Sequence, residues 1–192
     1  MTHHRRRNNG TDPSKINETV ELSPAQRYAA FKQTQAKQRT VAAEFARSMP
    51  FELDEFQMQA NDALEAGDNV LVAAPTGAGK TVAADFAIYL AQTRNVKAFY
   101  TTPIKALSNQ KYHDLVDQYG TDKVGLLTGD TSINSEADIV VMTTEVLRNM
   151  LYEHSVTLEA LRYVILDEVH YLADRFRGPV WEEVIIHLPK NV

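Results

Sequence analysis

From residue 54 onward, short apolar runs alternate with longer stretches of helical period. Residues 54–66 read as a helix closed by Gly67, and residues 69–74 as a short apolar strand. Residues 80–92 read as a helix, 96–102 as a strand, and 103–119 as a helix closed by Gly120. Then come a strand at 123–128, a fully apolar strand at 138–143, a helix at 144–152 and a last strand at 163–166. Strands that are apolar throughout and separated by helices predict a parallel sheet covered on both faces. The expected fold class is a doubly wound α/β domain.

Upstream the pattern weakens. Ser23 followed by Pro24 is an N-cap with proline at the first helical position, and the helix it opens is expected to run to Arg47. Tyr28, Phe31, Val41 and Phe45 make a broken apolar face, and polar residues 33–38 interrupt it, so packing is expected only at the ends. Met49-Pro50 ends the segment. Residues 1–22 are polar, carry turn signals at Asn8-Asn9-Gly10 and Asp12-Pro13, and are expected to form a disordered tail. Arg5, Arg6 and Arg7 suit either a nucleic-acid contact or a solvated terminus, and His3 and His4 lack partners at ligand spacing.

Composition narrows the options. The 192 residues are 44% hydrophobic and 23% charged, enough for one folded domain plus a tail. With no cysteine, a disulfide scaffold, a thiolate nucleophile and a zinc site built on sulfur are excluded. The net charge of −5 argues against a basic nucleic-acid coat, although a local phosphate groove depends on placement and not on totals. No apolar run approaches the roughly 18–20 residues of a membrane span. The first residues have charge without an apolar stretch behind it, so no signal peptide is read, and a cytoplasmic protein is expected.

Ala74-Pro75-Thr76-Gly77-Ala78-Gly79-Lys80-Thr81 follows an expected strand and opens an expected helix, the context a phosphate-binding loop requires. Gly77 and Gly79 let backbone N–H groups close around phosphate oxygens, and the helix N-terminus adds a favourable dipole. Lys80 would reach the β- and γ-phosphates of ATP, and the Thr81 hydroxyl would ligate Mg2+. A glycine-rich turn without a ligand is the alternative, and the strand, the helix and the Lys-Thr pair weigh against it.

The strand at 163–166 ends in Asp167-Glu168-Val169-His170. Carboxylates at the carboxyl end of a parallel strand face the crevice where ligands sit. Asp167 would hold the magnesium, and Glu168 would orient and deprotonate the attacking water. Standing alone, such a pair could equally be a helix N-terminal charge pair. Its coupling to the loop upstream favours chemistry.

These two pieces, with His170 in fourth place, resemble the DExH-box branch of the superfamily 2 helicases, and the resemblance extends from about Phe51 to Pro189. It implies a RecA-like, P-loop nucleoside-triphosphatase domain over residues 49–192, preceded by an N-terminal helix at 23–48. Helicases commonly replace the first glycine of the loop, as Ala74 does here. The segment Phe51-Glu52-Leu53-Asp54-Glu55-Phe56-Gln57 looks like the family's adenine-reading segment, which implies that Gln57 bonds the adenine edge and Phe51 stacks on the base. Thr102-Pro103-Ile104-Lys105-Ala106-Leu107-Ser108-Asn109-Gln110-Lys111, Leu127-Thr128-Gly129-Asp130 and Thr143-Thr144-Glu145-Val146-Leu147-Arg148 are similar to its three nucleic-acid-facing motifs. On that likeness Pro103, Lys105, Ala106, Thr128, Gly129, Thr144 and Arg148 would face a nucleic-acid backbone. The likeness also gives His170 the task of coupling the nucleotide site to RNA. The stretch with Asp174, Arg177-Gly178 and Val180-Trp181-Glu182-Glu183 looks like the superkiller-type RNA helicases, the exosome-associated group with bacterial relatives.

The residues themselves agree in part. Each of the three motifs sits where a strand ends and a helix or loop begins, offering amides to phosphates, so binding blind to base sequence is expected. Blander readings compete: Thr143-Thr144-Glu145 suits an N-cap with an acidic first turn, Lys105 and Lys111 suit solvated charges, and Trp181 suits packing. His113, His154 and His187 show no ligand spacing. The resemblance implies a further strand ending in Ser-Ala-Thr after Val192, and then a second RecA-like domain with arginine fingers. The expectation is therefore an N-terminal piece of a longer ATP-dependent RNA helicase acting on single-stranded RNA, with RNA-decay machinery as a partner. A DNA helicase or translocase, or a nucleotide-binding module with negligible turnover alone, are the alternatives.

Overall fold

The computed structural model describes Ser23, Ala25, Gln26, Tyr28, Ala29, Lys32 and residues 39–192. The tail expected at 1–22 lies outside the described residues. The chain divides into two compact units, Met1–Thr40 and Val41–Val192. In the first, Ala25, Gln26, Tyr28, Ala29 and Lys32 are helical. Ser23 opens this stretch with a reciprocal cap. The Gln26 amide donates to Ser23 Oγ at 3.3 Å, and the Ser23 amide donates to Gln26 Oε1 at 2.8 Å.

The helix expected to continue to Arg47 is broken, with a turn and bend at residues 39 and 40. A separate helix, α1 (Val41–Ser48), begins there. The cause lies in a later element. Glu65 accepts the Val41 amide on Oε1 at 3.0 Å and the Ala42 amide on Oε2 at 2.7 Å. A carboxylate placed on the orphan amides of a first turn starts a helix at that point. Glu65 belongs to α2 (Glu55–Ala66), which opens on Asp54 with a capping box to Gln57 and closes on Gly67 in the left-handed region.

The other elements follow in order: α3 (Thr81–Thr93), β1 (Lys97–Thr102), α4 (Lys105–Tyr119), β2 (Val124–Leu127), β3 (Ser132–Ile133), β4 (Ile139–Thr143), α5 (Thr144–Tyr152), β5 (Leu161–Leu166) and α6 (Gly178–His187). Single 3-10 turns at Val156–Leu158 and Val169–Ala173 lie on either side of β5. The sheet order is β3-β2-β4-β1-β5. The β2–β4, β4–β1 and β1–β5 pairs are parallel, and only β3 runs antiparallel. The alternating α/β pattern expected from the sequence is therefore observed, as a mainly parallel sheet with helices on both faces.

One face of the sheet packs Tyr100, Ile139 and Val141 against Ile88 of α3 and Leu115 of α4. The opposite face packs Phe99, Val140 and Met142 against Leu147 and Leu151 of α5 and Val184 of α6. All five residues of β4 are buried, which explains its uninterrupted apolar run. A third cluster joins Ala42 and Phe45 of α1 to Val82, Phe86 and Leu90 of α3.

The strand expected at residues 69–74 does not form. A strand exists through the backbone groups of a neighbour, and none of the five strands of the described sheet pairs with this segment. Leu71 is 76% exposed. The segment enters the following loop without regular secondary structure, and β5 forms one edge of the sheet.

Candidate functional site

The loop 74–80 leads directly into α3. Gly77 and Gly79 take φ of +83° and +75°, a region in which glycine is strongly favoured. No atom would approach within 4 Å of a Cβ on Gly77, so its need for glycine is conformational. At Gly79 space is short as well, because a Cβ would lie 2.6 Å from Gln57 Nε2. Lys80 folds back over its own loop, donating from Nζ to the carbonyls of Ala74 and Pro75, both at 2.9 Å. Thr76 and Thr81 are exposed, while Ala78 turns back to the Pro75 carbonyl through its amide at 3.2 Å.

Gln57, expected at an adenine edge, is buried and uses both ends of its amide inside the protein. Oε1 accepts the Asp54 amide at 2.8 Å, and Nε2 donates to the Gly79 carbonyl at 3.0 Å. It thereby ties α2 to the loop. Phe51, by contrast, is exposed and lines a groove of about 570 Å³ with Ala46, Met49, Pro50, Leu53 and Met58. One turn beyond Gln57, Asn61 is buried to 1% exposure with neither amide atom hydrogen-bonded.

Asp167 stands at the carboxyl end of β5, its amide bonded to the Thr101 carbonyl of β1 at 3.0 Å. Its Oδ2 accepts the Tyr100 hydroxyl at 2.7 Å, and its Oδ1 accepts the Glu168 amide at 2.8 Å. Burial first, then the charge of Asp167, pushes the Tyr100 phenol well above its ordinary value, so it stays a neutral donor. Glu168 occupies the left-handed region at φ +57°, a costly conformation for a residue with a side chain. That turn aims its carboxylate at His170, whose Nδ1 lies 3.1 Å from Oε2.

A chain of contacts links the loop helix to the acidic pair. Asp85, in the second turn of α3, accepts Lys111 of α4 at 3.1 Å. Lys111 Nζ sits 4.9 Å from the Tyr100 ring centroid, and Tyr100 reaches Asp167. The sequence offered Lys111 as a solvated charge within a nucleic-acid-facing motif; its side chain is 17% exposed and paired with Asp85, so it is not a freely solvated charge. The tyrosine and its cation were missed because strand register, which puts them there, leaves no local trace in the sequence.

The residues expected at a nucleic-acid face divide in two. Lys105, Ala106 and Gly129 are exposed, whereas Pro103, Thr128 and Thr144 are buried. Thr144 Oγ1 donates to the Thr102 carbonyl at 3.3 Å and so ties β1 to α5. The buried three can offer a strand little beyond their backbone. Lys105 Nζ bonds both oxygens of Asp130, at 2.7 and 2.5 Å, and Thr128 Oγ1 donates to the same carboxylate at 3.0 Å. The Lys105 contact first, then the Thr128 hydroxyl, holds the Asp130 carboxyl below its ordinary value. Arg148 lies 3.8 Å from Glu183.

Downstream, Asp174 Oδ1 accepts the amides of Phe176 and Arg177, each at 2.9 Å, which lowers its pKa and sets the loop before α6. A Cβ on Gly178 would meet the Leu172 carbonyl at 2.5 Å. Trp181 is buried in packing, as one reading of the sequence held. No group of three metal-ligating side chains occurs among the described residues. No helix among them is long and apolar enough to cross a membrane.

A glycine-bearing loop at the head of a helix and a carboxylate pair at the end of a parallel strand are parts that P-loop nucleotide-binding domains have in common. The family model for DEAD/DEAH box helicases matches residues 54–192. The chain belongs to that family. It is 61% identical over 150 residues to the probable helicase HelY of Mycobacterium leprae, covering 78% of this chain and 16% of that protein. It is 54% identical over 147 residues to the antiviral helicase SKI2 of Saccharomyces cerevisiae, covering 77% of this chain and 11% of the yeast protein. The chain thus spans less than one-fifth of the length of these relatives. Among solved structures it resembles the Mycobacterium smegmatis helicase Lhr bound to ssDNA and AMP-PNP, with a TM-score of 0.61 and 28% identity over 79% of this chain and 23% of that one. It also resembles a hypothetical ATP-dependent RNA helicase from Sulfolobus tokodaii, with a TM-score of 0.58 and 26% identity over 79% of this chain and 47% of that one.

Proposed function

We propose that this chain is the first motor domain of an ATP-dependent RNA helicase of the superkiller type. Residues 49–192 form the ATP-binding domain, 23–48 an N-terminal helix and 1–22 a tail; a second RecA-like domain in cis completes the enzyme. The observation that carries the reading is the chain of contacts from α3 through Lys111 and Tyr100 to Asp167, which supports one shared site for loop and carboxylates.

The donor set suits a magnesium nucleotide. A P-loop metal needs one hydroxyl and one or two carboxylates besides phosphate oxygens, and Thr81 and Asp167 supply that set. Held by Thr81 and Asp167, Mg2+ would supply positive charge against a bound triphosphate. The amides of 77–81 wrap the phosphate oxygens, and Lys80 exchanges the Ala74 and Pro75 carbonyls for phosphate. Folded back on its loop, the lysine is held by acceptors weaker than a phosphate. Asp167 is held by one donor on each oxygen, which leaves a lone pair on each for a ligand. Glu168 takes the proton of the attacking water, and its contact with His170 gives a route by which nucleic acid senses that carboxylate. Phe51 covers the base, while Gln57 reads its edge only by giving up the Gly79 carbonyl.

Lys105, Ala106 and Gly129, with the backbone of Pro103, Thr128 and Thr144 and the side chain of Arg148, form the nucleic-acid face. Backbone readout leaves the choice between RNA and DNA to the 2′-hydroxyl. Single-stranded RNA is our choice, in a cytoplasmic RNA-decay setting; the Lhr complex with ssDNA favours DNA as the second reading. Strand-stimulated ATP hydrolysis tests both. In the full-length protein, Lys80→Ala should abolish nucleotide binding or turnover, and Glu168→Gln should leave ATP bound and hardly hydrolysed. Vigorous turnover in Glu168→Gln would remove that residue from catalysis, and stronger stimulation by DNA than by RNA would exchange the two substrates.

A further inference from the structure

We propose that Tyr100 is the positioning residue of Asp167, setting its carboxylate for a divalent cation, and that Lys111 and Asp85 hold Tyr100 in turn. The inference rests on reading Asp167 as the metal-holding carboxylate. It begins with register. β1 and β5 are parallel, with Tyr100 opposite Ile165. Side chains alternate along a strand, so Ile165 and Asp167 share the face on which the Tyr100 ring packs. The ring is 1% exposed, among Ile88, Leu115, Ile139 and Val141. Phenylalanine would fill that apolar slot equally well, so packing does not require the hydroxyl.

What the hydroxyl does is reach Asp167 Oδ2 at 2.7 Å, while the Glu168 amide holds Oδ1 at 2.8 Å. One donor on each oxygen fixes the plane of the carboxylate and leaves a lone pair on each for a ligand. Glu168 has a separate partner in His170, so the two acidic side chains are set independently. Lys111 completes the brace. A largely buried ammonium needs compensation, and it finds the Asp85 carboxylate at 3.1 Å and the face of the Tyr100 ring at 4.9 Å. The phosphate-loop helix and the helix that begins with Lys105 therefore both bear on the metal carboxylate through one phenol.

The test titrates Mg2+ into the whole chain and its Tyr100→Phe, Lys111→Met and Asp167→Asn variants with a fluorescent N-methylanthraniloyl ATP. Two quantities are read, the half-saturating Mg2+ concentration and the nucleotide affinity in EDTA. Asp167→Asn should abolish the Mg2+-dependent gain in affinity. Tyr100→Phe should raise the half-saturating Mg2+ about tenfold, the usual cost of losing an outer partner of a ligand, with affinity in EDTA unchanged. Lys111→Met should shift it the same way by less. A purely structural role would weaken both quantities together, and that result overturns the proposal. So does an unchanged Mg2+ midpoint in Tyr100→Phe beside a lost response in Asp167→Asn, which leaves the reading of Asp167 intact. If Asp167→Asn keeps the wild-type Mg2+ response, that reading falls and the proposal with it. Should Tyr100→Phe lose its circular-dichroism spectrum, Lys111→Met decides, and no shift there overturns the brace.

Discussion

At Gly79 the loop before α3 meets Gln57 of α2 with no room for a side chain, and replacing it with alanine makes a quantitative test. Two costs arise. At φ +75° an L-residue is strained by about 1.5 kcal/mol. The new Cβ would also lie 2.6 Å from Gln57 Nε2, so that side chain must leave. Gln57 is the flexible end of a side chain, but it is buried and held at both ends, by the Asp54 amide and the Gly79 carbonyl. Losing two such bonds costs about 2 kcal/mol. Gly79→Ala should then destabilise by about 3.5 kcal/mol, and Gln57→Ala alone by about 2 kcal/mol. Because the same two bonds are lost in each, adding Gln57→Ala to Gly79→Ala should cost almost nothing further. Urea denaturation followed by circular dichroism measures all three variants and closes the cycle. If the double variant falls below Gly79→Ala by the full cost of Gln57→Ala, the two residues are independent. The link from α2 to the loop would then be wrong.

Other consequences follow from single contacts. Asn61→Leu keeps the branched shape and removes a buried amide without partners, so it should stabilise by about 2 kcal/mol, raising Tm by several degrees; a lower Tm in a thermal melt would mean the amide is satisfied. Asp130→Asn should release Lys105 and tighten binding of a short single strand, most at low salt, in fluorescence anisotropy; unchanged affinity would take Lys105 off the nucleic-acid face. Asp130, Glu136 and Asp174 all have lowered carboxyl pKa values, from Lys105, Lys97 and the Arg177 amide respectively. Their stabilisation is complete above the ordinary values of 3.8 for Asp and 4.5 for Glu, and is lost as pH falls below them. Melting temperature should therefore drop as pH falls below about 4.5, and less steeply in Asp174→Asn than in wild type.

How far the site was legible varied by residue. Gly77, Gly79 and Lys80 could be assigned to a phosphate loop because the chemistry needs those types at that spacing, and the local backbone follows. The helices from α2 to α5 and the strands β1, β2, β4 and β5 were legible because burial on one or two faces imposes a period of 3.6 or an unbroken apolar run, whereas the exposed two-residue β3 was not. Asp167 and Glu168 were legible as a pair at a strand end. The companions of these residues were not. Tyr100 looked like one more apolar strand position, and Lys111 like a surface charge.

What the sequence determined by itself was therefore local: which stretches coil, which extend, where a turn demands glycine, and which residues can carry phosphate chemistry. Tertiary structure alone decided the partners. Glu65 starts α1 from 24 residues away in the chain, and Tyr100 meets Asp167 across 67. Residues 69–74, apolar enough for a strand, remain outside the ladder. A helix closes its hydrogen bonds within four residues, so its code is written nearby. A strand, a carboxylate or a buried cation is satisfied by whatever the fold brings alongside, and register fixes that neighbour only when the sheet assembles.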